Sequence, residues 1–206
     1  MKKILFCFFL IIICSCNEKQ RQFESQSYEV LSVLYDTLAI RLPIPPMPYS
    51  SKNISKADSL KNIEKIVEFT RLQDSIQQIV AINPYLSIPV LDHVNYSKIK
   101  NEFKELVTKL SLLEEKKPLD INRIKTKRKD SIIAFNDSLL DPVVSDFLKF
   151  NKLISFSRIG FNKENTKAVV VASASTSGRA GFSGLYFLRK INEQWVIVDF
   201  LGLSIS

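Results

Sequence analysis

Between Ile154 and Ile205 one strand-like segment follows another, rich in β-branched and aromatic residues and broken only where turn formers cluster. Four such segments occur in order: Ile154 to Phe161, Ala168 to Ser175, Gly184 to Ile191 and Gln194 to Ile205. Asn162-Lys163-Glu164-Asn165 and Asn192-Glu193 are turn-prone connections between them. Ser175 to Ser183, which holds Gly178 and Gly181, predicts a longer hairpin loop. Connections this short make consecutive strands run antiparallel, because a parallel crossover needs a dozen or more residues. The last third of the chain is therefore expected to be an antiparallel β-meander. Its apolar face must be covered by what precedes it.

What precedes it is mostly helical in pattern. From Ser27 on, Tyr28, Leu31, Leu34, Tyr35 and Leu38 recur at three and four residues and make one face apolar. Pro43, Pro45, Pro46 and Pro48 then stop any helix, and segment 43–48 is expected to be extended and stiff. It suits a spacer or an edge packed on the core, or a proline-rich ligand for a partner's aromatic groove. Ser55 opens a second helical stripe, with Asp58 three residues on, that continues through Leu60, Ile63, Ile66, Val67, Leu72, Ile76 and Ile79. Gln78 to Ile82 is more β-like and runs into the turn signal Asn83-Pro84. Tyr96 to Lys116 is the clearest helix, with Ile99, Phe103, Leu106, Val107, Leu110 and Leu113 on one face and Pro118 as its stop. Ser131 to Phe135 predicts a short strand and Val143 to Phe150 a short helix. Helices first and strands afterwards predict an α+β fold: N-terminal amphipathic helices packed on one face of a C-terminal antiparallel β-meander. Residues 27–206 are read as one domain, after a flexible tether at 16–26.

The amino terminus sets the address. Lys2 and Lys3 precede an apolar run from Ile4 to Ile13, and Cys14-Ser15-Cys16 follows. A membrane-spanning helix needs about 20 apolar residues, so this run has the length of a signal-peptide core instead. Ile13-Cys14-Ser15-Cys16 resembles a bacterial lipoprotein cleavage site, which implies removal of residues 1–15 and lipidation of Cys16. The alternative is ordinary cleavage near Ser15 and a soluble secreted product. Several acyl chains hold a protein on a membrane where one does not. Cys7, Cys14 and Cys16 are the only cysteines, so the mature chain keeps one thiol and the lipid consumes it. With no disulfide, a 191-residue mature chain has to rely on its core, and it is long enough to do so.

Loss of Lys2 and Lys3 takes the formal charge from +8 to +6. Outside the cytoplasm nucleic acid is a poor partner for that charge. Anionic lipid headgroups, lipopolysaccharide and acidic glycans are the polyanions within reach, and simple solubility is the other reading. Only one acid follows the cysteine in Asn17-Glu18-Lys19-Gln20, which points to an outer-membrane anchor facing the periplasm rather than the cell surface.

Ser157-Arg158-Ile159-Gly160-Phe161-Asn162, the apolar Lys167-Ala168-Val169-Val170-Val171, a glycine-bearing loop, Gly184-Leu185-Tyr186-Phe187-Leu188 and Gln194-Trp195-Val196-Ile197-Val198 form one further pattern. Over about residues 154–200 it resembles the C-terminal part of lipoproteins and exported proteins of Bacteroidetes-type bacteria that have no assigned activity. The resemblance implies a shared sheet and no chemistry. Many of those proteins carry cysteines in the loop where this chain has Ser175-Thr176-Ser177-Gly178, so a disulfide-pinned loop is not expected here.

Five of the ten aspartates head an Asp-(Ser/Thr)-apolar triplet: Asp36-Thr37-Leu38, Asp58-Ser59-Leu60, Asp74-Ser75-Ile76, Asp130-Ser131-Ile132 and Asp137-Ser138-Leu139. The triplet is similar to the O-glycosylation acceptor of Bacteroidetes envelope proteins, which makes Thr37, Ser59, Ser75, Ser131 and Ser138 candidate glycan carriers. Helix caps and turns followed by an apolar residue produce the same spelling.

No recognisable catalytic constellation appears. His93, beside Asp92, is the only histidine, and no second histidine or spare cysteine is present to build a typical zinc site with it. Gly181-Phe182-Ser183-Gly184-Leu185 misses the G-x-S-x-G pattern, and P-loop, G-x-G-x-x-G and H-E-x-x-H patterns are absent. Arg158 and Arg179 are candidate anion contacts, against the plainer readings of a sheet brace and a hairpin tip. The basic run Arg123 to Lys129 suits a membrane or glycan contact, or a solvated face. The expectation is a lipid-anchored envelope protein that binds a partner or structural component without catalysis and without a cofactor. A small-ligand-binding protein or hydrolase, with its pocket between helices and sheet, is the alternative. An accessory subunit docked through segment 43–48 is a third reading.

Overall fold

The computed structural model describes residues 23–40, 67, 77–92, 94–140, 149–177 and 180–205. The signal with Cys16, the proline segment 43–48, nearly all of the stripe from Ser55 and most of the expected helix from Val143 lie outside those residues. In chain order the elements are helix α1 (residues 23–38), strand β1 (Ile79–Ile82), strand β2 (Tyr85–Leu86), helix α2 (Asn101–Ser111) and strand β3 (Lys117–Pro118). Strands β4 (Ser131–Ala134), β5 (Lys152–Phe161), β6 (Lys167–Ser177), β7 (Ala180–Ile191) and β8 (Gln194–Ile205) follow. The class is α+β, with a large, mostly antiparallel sheet at the C-terminal end.

Strands β5 to β8 are the meander, each antiparallel to the next, within a six-stranded sheet ordered β4-β1-β5-β6-β7-β8. The turn chemistry is local. Asn192 and Glu193 adopt φ of 48° and 61°, the left-handed pair that lets a two-residue hairpin follow the strand twist. Between β5 and β6, the Asn162 side-chain oxygen accepts from the N–H groups of Thr166 and Lys167, both at 2.8 Å. The other end of the sheet differs from expectation. β1 lies parallel between β4 and β5, a pairing that demands long crossovers and leaves no local spelling to read.

The long loop expected from Ser175 to Ser183 is also replaced. β6 continues to Ser177 and β7 begins at Ala180, so the hairpin stays paired almost to its tip. Gly181 and Gly184 serve close approach between strands. A Cβ on Gly184 would stand 2.0 Å from Phe200 Cε2, and one on Gly181 would stand 2.8 Å from Ser175 Cβ. The Phe200 ring covers the gap that Gly184 leaves.

Successive residues of β6 enter different cores, because side chains alternate between the faces of a strand. Ala168, Val170, Ala172 and Ala174 join Val30, Leu31, Leu34, Tyr35 and Leu38 of α1, with Tyr186 and Trp195. Val169 joins Phe103, Leu106, Val107 and Leu110 of α2, with Leu185 and Phe187. Helical residues thus meet both faces of the meander, not the single face expected. The reason is in the strands themselves: Ala168 to Ala172 and Leu185 to Leu188 are continuous apolar runs, and both of their faces need cover.

The helix bounds shift for local reasons. α1 is already helical at residue 23, ahead of the start expected at Ser27. Phe23 meets the Phe161 ring edge-on at 5.1 Å, and the Gln26 side-chain oxygen accepts from Trp195 Nε1 at 2.9 Å. α2 covers only part of the span expected from Tyr96 to Lys116. Asn95 caps a separate 3₁₀ turn at Tyr96–Lys98, and α2 stops at its C-cap Leu112. The chain then crosses so that Lys117–Pro118 can pair with β2, and Leu119 N–H donates to Pro84 O at 2.9 Å. Glu102 on α2 meets Lys167 of β6 at 2.8 Å and Arg189 of β7 at 2.5 Å, which pins the helix across two strands.

Candidate functional site

A helix end leaves carbonyls unpaired, and the end of α1 is buried, so other elements must supply donors. Lys152, the first residue of β5 and only 4 % exposed, donates from Nζ to Leu38 O at 2.9 Å and Ile40 O at 2.6 Å. Gln78, 2 % exposed, donates to Ala39 O between them at 2.6 Å. A lysine there also meets the negative end of the helix dipole. Beside it, Asp130 gathers Arg128 Nε at 2.7 Å and the Tyr35 hydroxyl and Gln78 Nε2 at 3.3 Å each. Burial first, and the Asp130 carboxylate second, push the Tyr35 hydroxyl well above the ordinary tyrosine range.

Past the end of α1 the sheet continues and the helix does not. The result is a cavity of about 690 Å³ between that helix end and the end of the sheet where the tip of the β6–β7 hairpin lies beside the end of β8. Ala174, Phe182, Tyr186, Ile197 and Phe200 make most of its apolar wall, and Thr37 and Lys152 stand where α1 ends. Its size is that of a small-molecule site, and such sites pair an apolar wall with a few placed polar groups. Tyr186 is the group of interest. It is 5 % exposed, its ring lies 4.8 Å from that of Phe200, and no described group hydrogen-bonds its hydroxyl. Burial pushes its pKa up to about 12, so the phenol stays a donor at any physiological pH. Of the other polar wall groups, Ser183 and Ser204 hydroxyls meet at 2.7 Å, Thr37 Oγ1 donates to Val33 O at 3.0 Å, and Thr176 is exposed. Among the described lining residues there is no carboxylate or imidazole to take a proton.

The residues singled out from sequence are scattered. Arg158 sits in a β-bulge of β5, and its Nη1 donates to Glu115 O at 3.1 Å. The bulge is set by Ser157, whose hydroxyl accepts from Val171 N–H at 2.9 Å and donates to Arg158 O at 2.7 Å. Asp92 is exposed in a turn and lines neither the cavity nor the Arg158 site. His93, Arg179, Ser59 and Ser75 lie outside the described residues. Of the remaining triplet hydroxyls, Thr37 is exposed on α1, Ser131 opens β4 and accepts from Gln77 at 2.8 Å, and Ser138 is exposed in a 3₁₀ turn capped by Asn136. The aspartates ahead of two of them have structural partners, since Asp36 accepts from Thr126 at 2.6 Å and Asp130 holds the network above. Sequence reasoning missed Lys152, Gln78 and Tyr186. Nothing local marks the first two, and Tyr186 shows only as a hydroxyl inside an apolar strand.

No family model matches the chain, and no curated protein or solved structure matches it either.

Proposed function

We propose that this chain is a lipid-anchored protein of the bacterial cell envelope that works by binding, and that its ligand is a small amphiphile held in the cavity beyond α1. The observation that carries the binding reading is the Tyr186 hydroxyl: a donor without a described partner, on a residue only 5 % exposed, in the wall of an apolar cavity of about 690 Å³. A ligand acceptor on that hydroxyl fixes the ligand's polar end, as the few placed polar groups of an apolar site do. The apolar wall then takes the ligand's hydrocarbon part at about 25 cal/mol per Å² buried. Helices packed on both faces of the meander make the wall rigid enough to hold one shape.

The anchor rests on the order Ile13-Cys14-Ser15-Cys16, and the placement on an outer membrane facing the periplasm rests on the weakly acidic residues after it. The C-terminal pattern from Ser157 to Val198 supports kinship with exported proteins of Bacteroidetes-type bacteria. Exposed Ser138, away from the cavity, is the best placed described hydroxyl for an O-glycan. An envelope protein partner fits the same reading.

Titration with a fluorescent long-chain fatty acid tests the cavity. Saturable binding is expected, a loss of at least tenfold in Ala174→Phe, and a smaller loss in Tyr186→Phe. Equal binding by the Ala174→Phe variant, folded as the parent is, rejects the site. Intact-mass measurement of the protein from its own envelope tests the anchor: the mass should lack residues 1–15, carry lipid, and exceed the lipidated polypeptide if glycans are present.

A further inference from the structure

Away from the cavity, the basic run forms a regular device. Residues 124–130 bend at Lys127 and Arg128, and their burial alternates: Ile124, Thr126, Arg128 and Asp130 are buried or half-buried, while Lys125, Lys127 and Lys129 are exposed. The inward side is fastened to α1 and to itself. Lys125 N–H donates to Ser32 Oγ at 2.9 Å, Thr126 Oγ1 to Asp36 at 2.6 Å, and Arg128 Nε to Asp130 at 2.7 Å. The three outward lysines have no ion-pair partner among the described residues. With the backbone fastened on the inward side, the three lysines form a row of exposed cations along one short segment.

The row borders a groove of about 710 Å³, lined by Tyr28, Ser32, Asn122, Lys125, Lys127 and Trp195. Glu29 and Glu193 line it too. A groove with cations along one rim and carboxylates, hydroxyls and an amide inside suits a ligand that carries both anions and many hydroxyls. A flat anionic surface would meet the lysines and leave the carboxylates opposed to it.

We propose that the Lys125–Lys127–Lys129 row and the groove beside it bind an acidic polysaccharide, its anionic groups on the lysines and its hydroxyls in the groove. Fixing the row in advance lowers the ordering cost of binding, and the charge contribution falls with salt. The inference needs neither the lipid anchor nor the cavity ligand.

The test is calorimetric titration of the full chain in detergent with polygalacturonate, with neutral dextran as control and vesicles of anionic phospholipid as competitor. Polygalacturonate should bind, dextran should not, and affinity should fall steeply between low and physiological salt. The variant Lys125→Gln/Lys127→Gln/Lys129→Gln changes only exposed side chains and should lose at least tenfold with its circular dichroism unchanged. Ala174→Phe, which blocks the cavity, should bind polygalacturonate as the parent does, so the two sites fail separately. Failure of the parent to bind polygalacturonate, or equal binding by the triple variant, overturns the proposal. Loss of polygalacturonate binding to competing anionic vesicles that engage the same lysines overturns it in favour of a membrane surface.

Discussion

At the scale of single residues, Lys152 shows how a charge earns a buried place. Its ammonium meets the carbonyls of Leu38 and Ile40, which the end of α1 leaves unpaired. Lys152→Met keeps the stem and removes the donors, and should cost about 3 kcal/mol through stranded buried acceptors. Urea unfolding of the two proteins checks this; an unchanged midpoint at equal slope would sink it. Tyr186 makes a prediction in pH. Its folded-state pKa of about 12 lies above the ordinary 10.0, so the unfolded chain loses this proton first as pH rises. Stability should therefore hold below pH 10 and fall between 10 and 12, as the unfolded state binds fewer protons than the folded. Tyr35, raised by burial and then by Asp130, adds to the same fall. Tyr186→Phe should make the alkaline fall shallower in unfolding experiments run across that range, and an identical slope would refute the assignment.

The β7–β8 hairpin carries the lesson for elements. Its turn is legible as Asn192-Glu193, and both residues take positive φ as that turn requires. Gly181 misleads, because it looks like a loop residue and is a strand residue; like Gly184, read as a strand start, it lets neighbours come close. Gly184→Ala has to displace the Phe200 ring and should cost about 1–3 kcal/mol by overpacking. Adding Phe200→Leu should return part of that loss, read as a coupling in a double-mutant cycle. Strictly additive effects would show that the ring is not what Gly184 accommodates. α2 teaches the complementary point. Its apolar face was legible from Phe103 to Leu110, but its ends were decided by Asn95 capping a separate turn and by the crossing to β3.

In the whole molecule, two apolar cores share one sheet, one built with α1 and the other with α2. Leu34→Ala and Val107→Ala, both fully buried but on opposite faces, should each destabilise by about 2–4 kcal/mol. Their effects should add within about 0.5 kcal/mol, since no side chain is shared between them. A larger coupling in thermal or urea unfolding would mean that the sheet transmits strain from face to face. By itself the sequence determined the antiparallel meander, its two well-marked turns, the apolar stripes of α1 and α2, and the strand at Ser131, because period, β-branching and turn chemistry are local properties; at Ile79 it left helix and strand both open. Only the tertiary structure decided that β1 and β4 join as parallel strands, that helical residues meet both faces, that Lys152 and Gln78 close the end of α1, and that Tyr186 borders a cavity. Each of these depends on groups far apart in the chain, where which surface meets which is settled by burial of both faces and by pairing of every buried carbonyl.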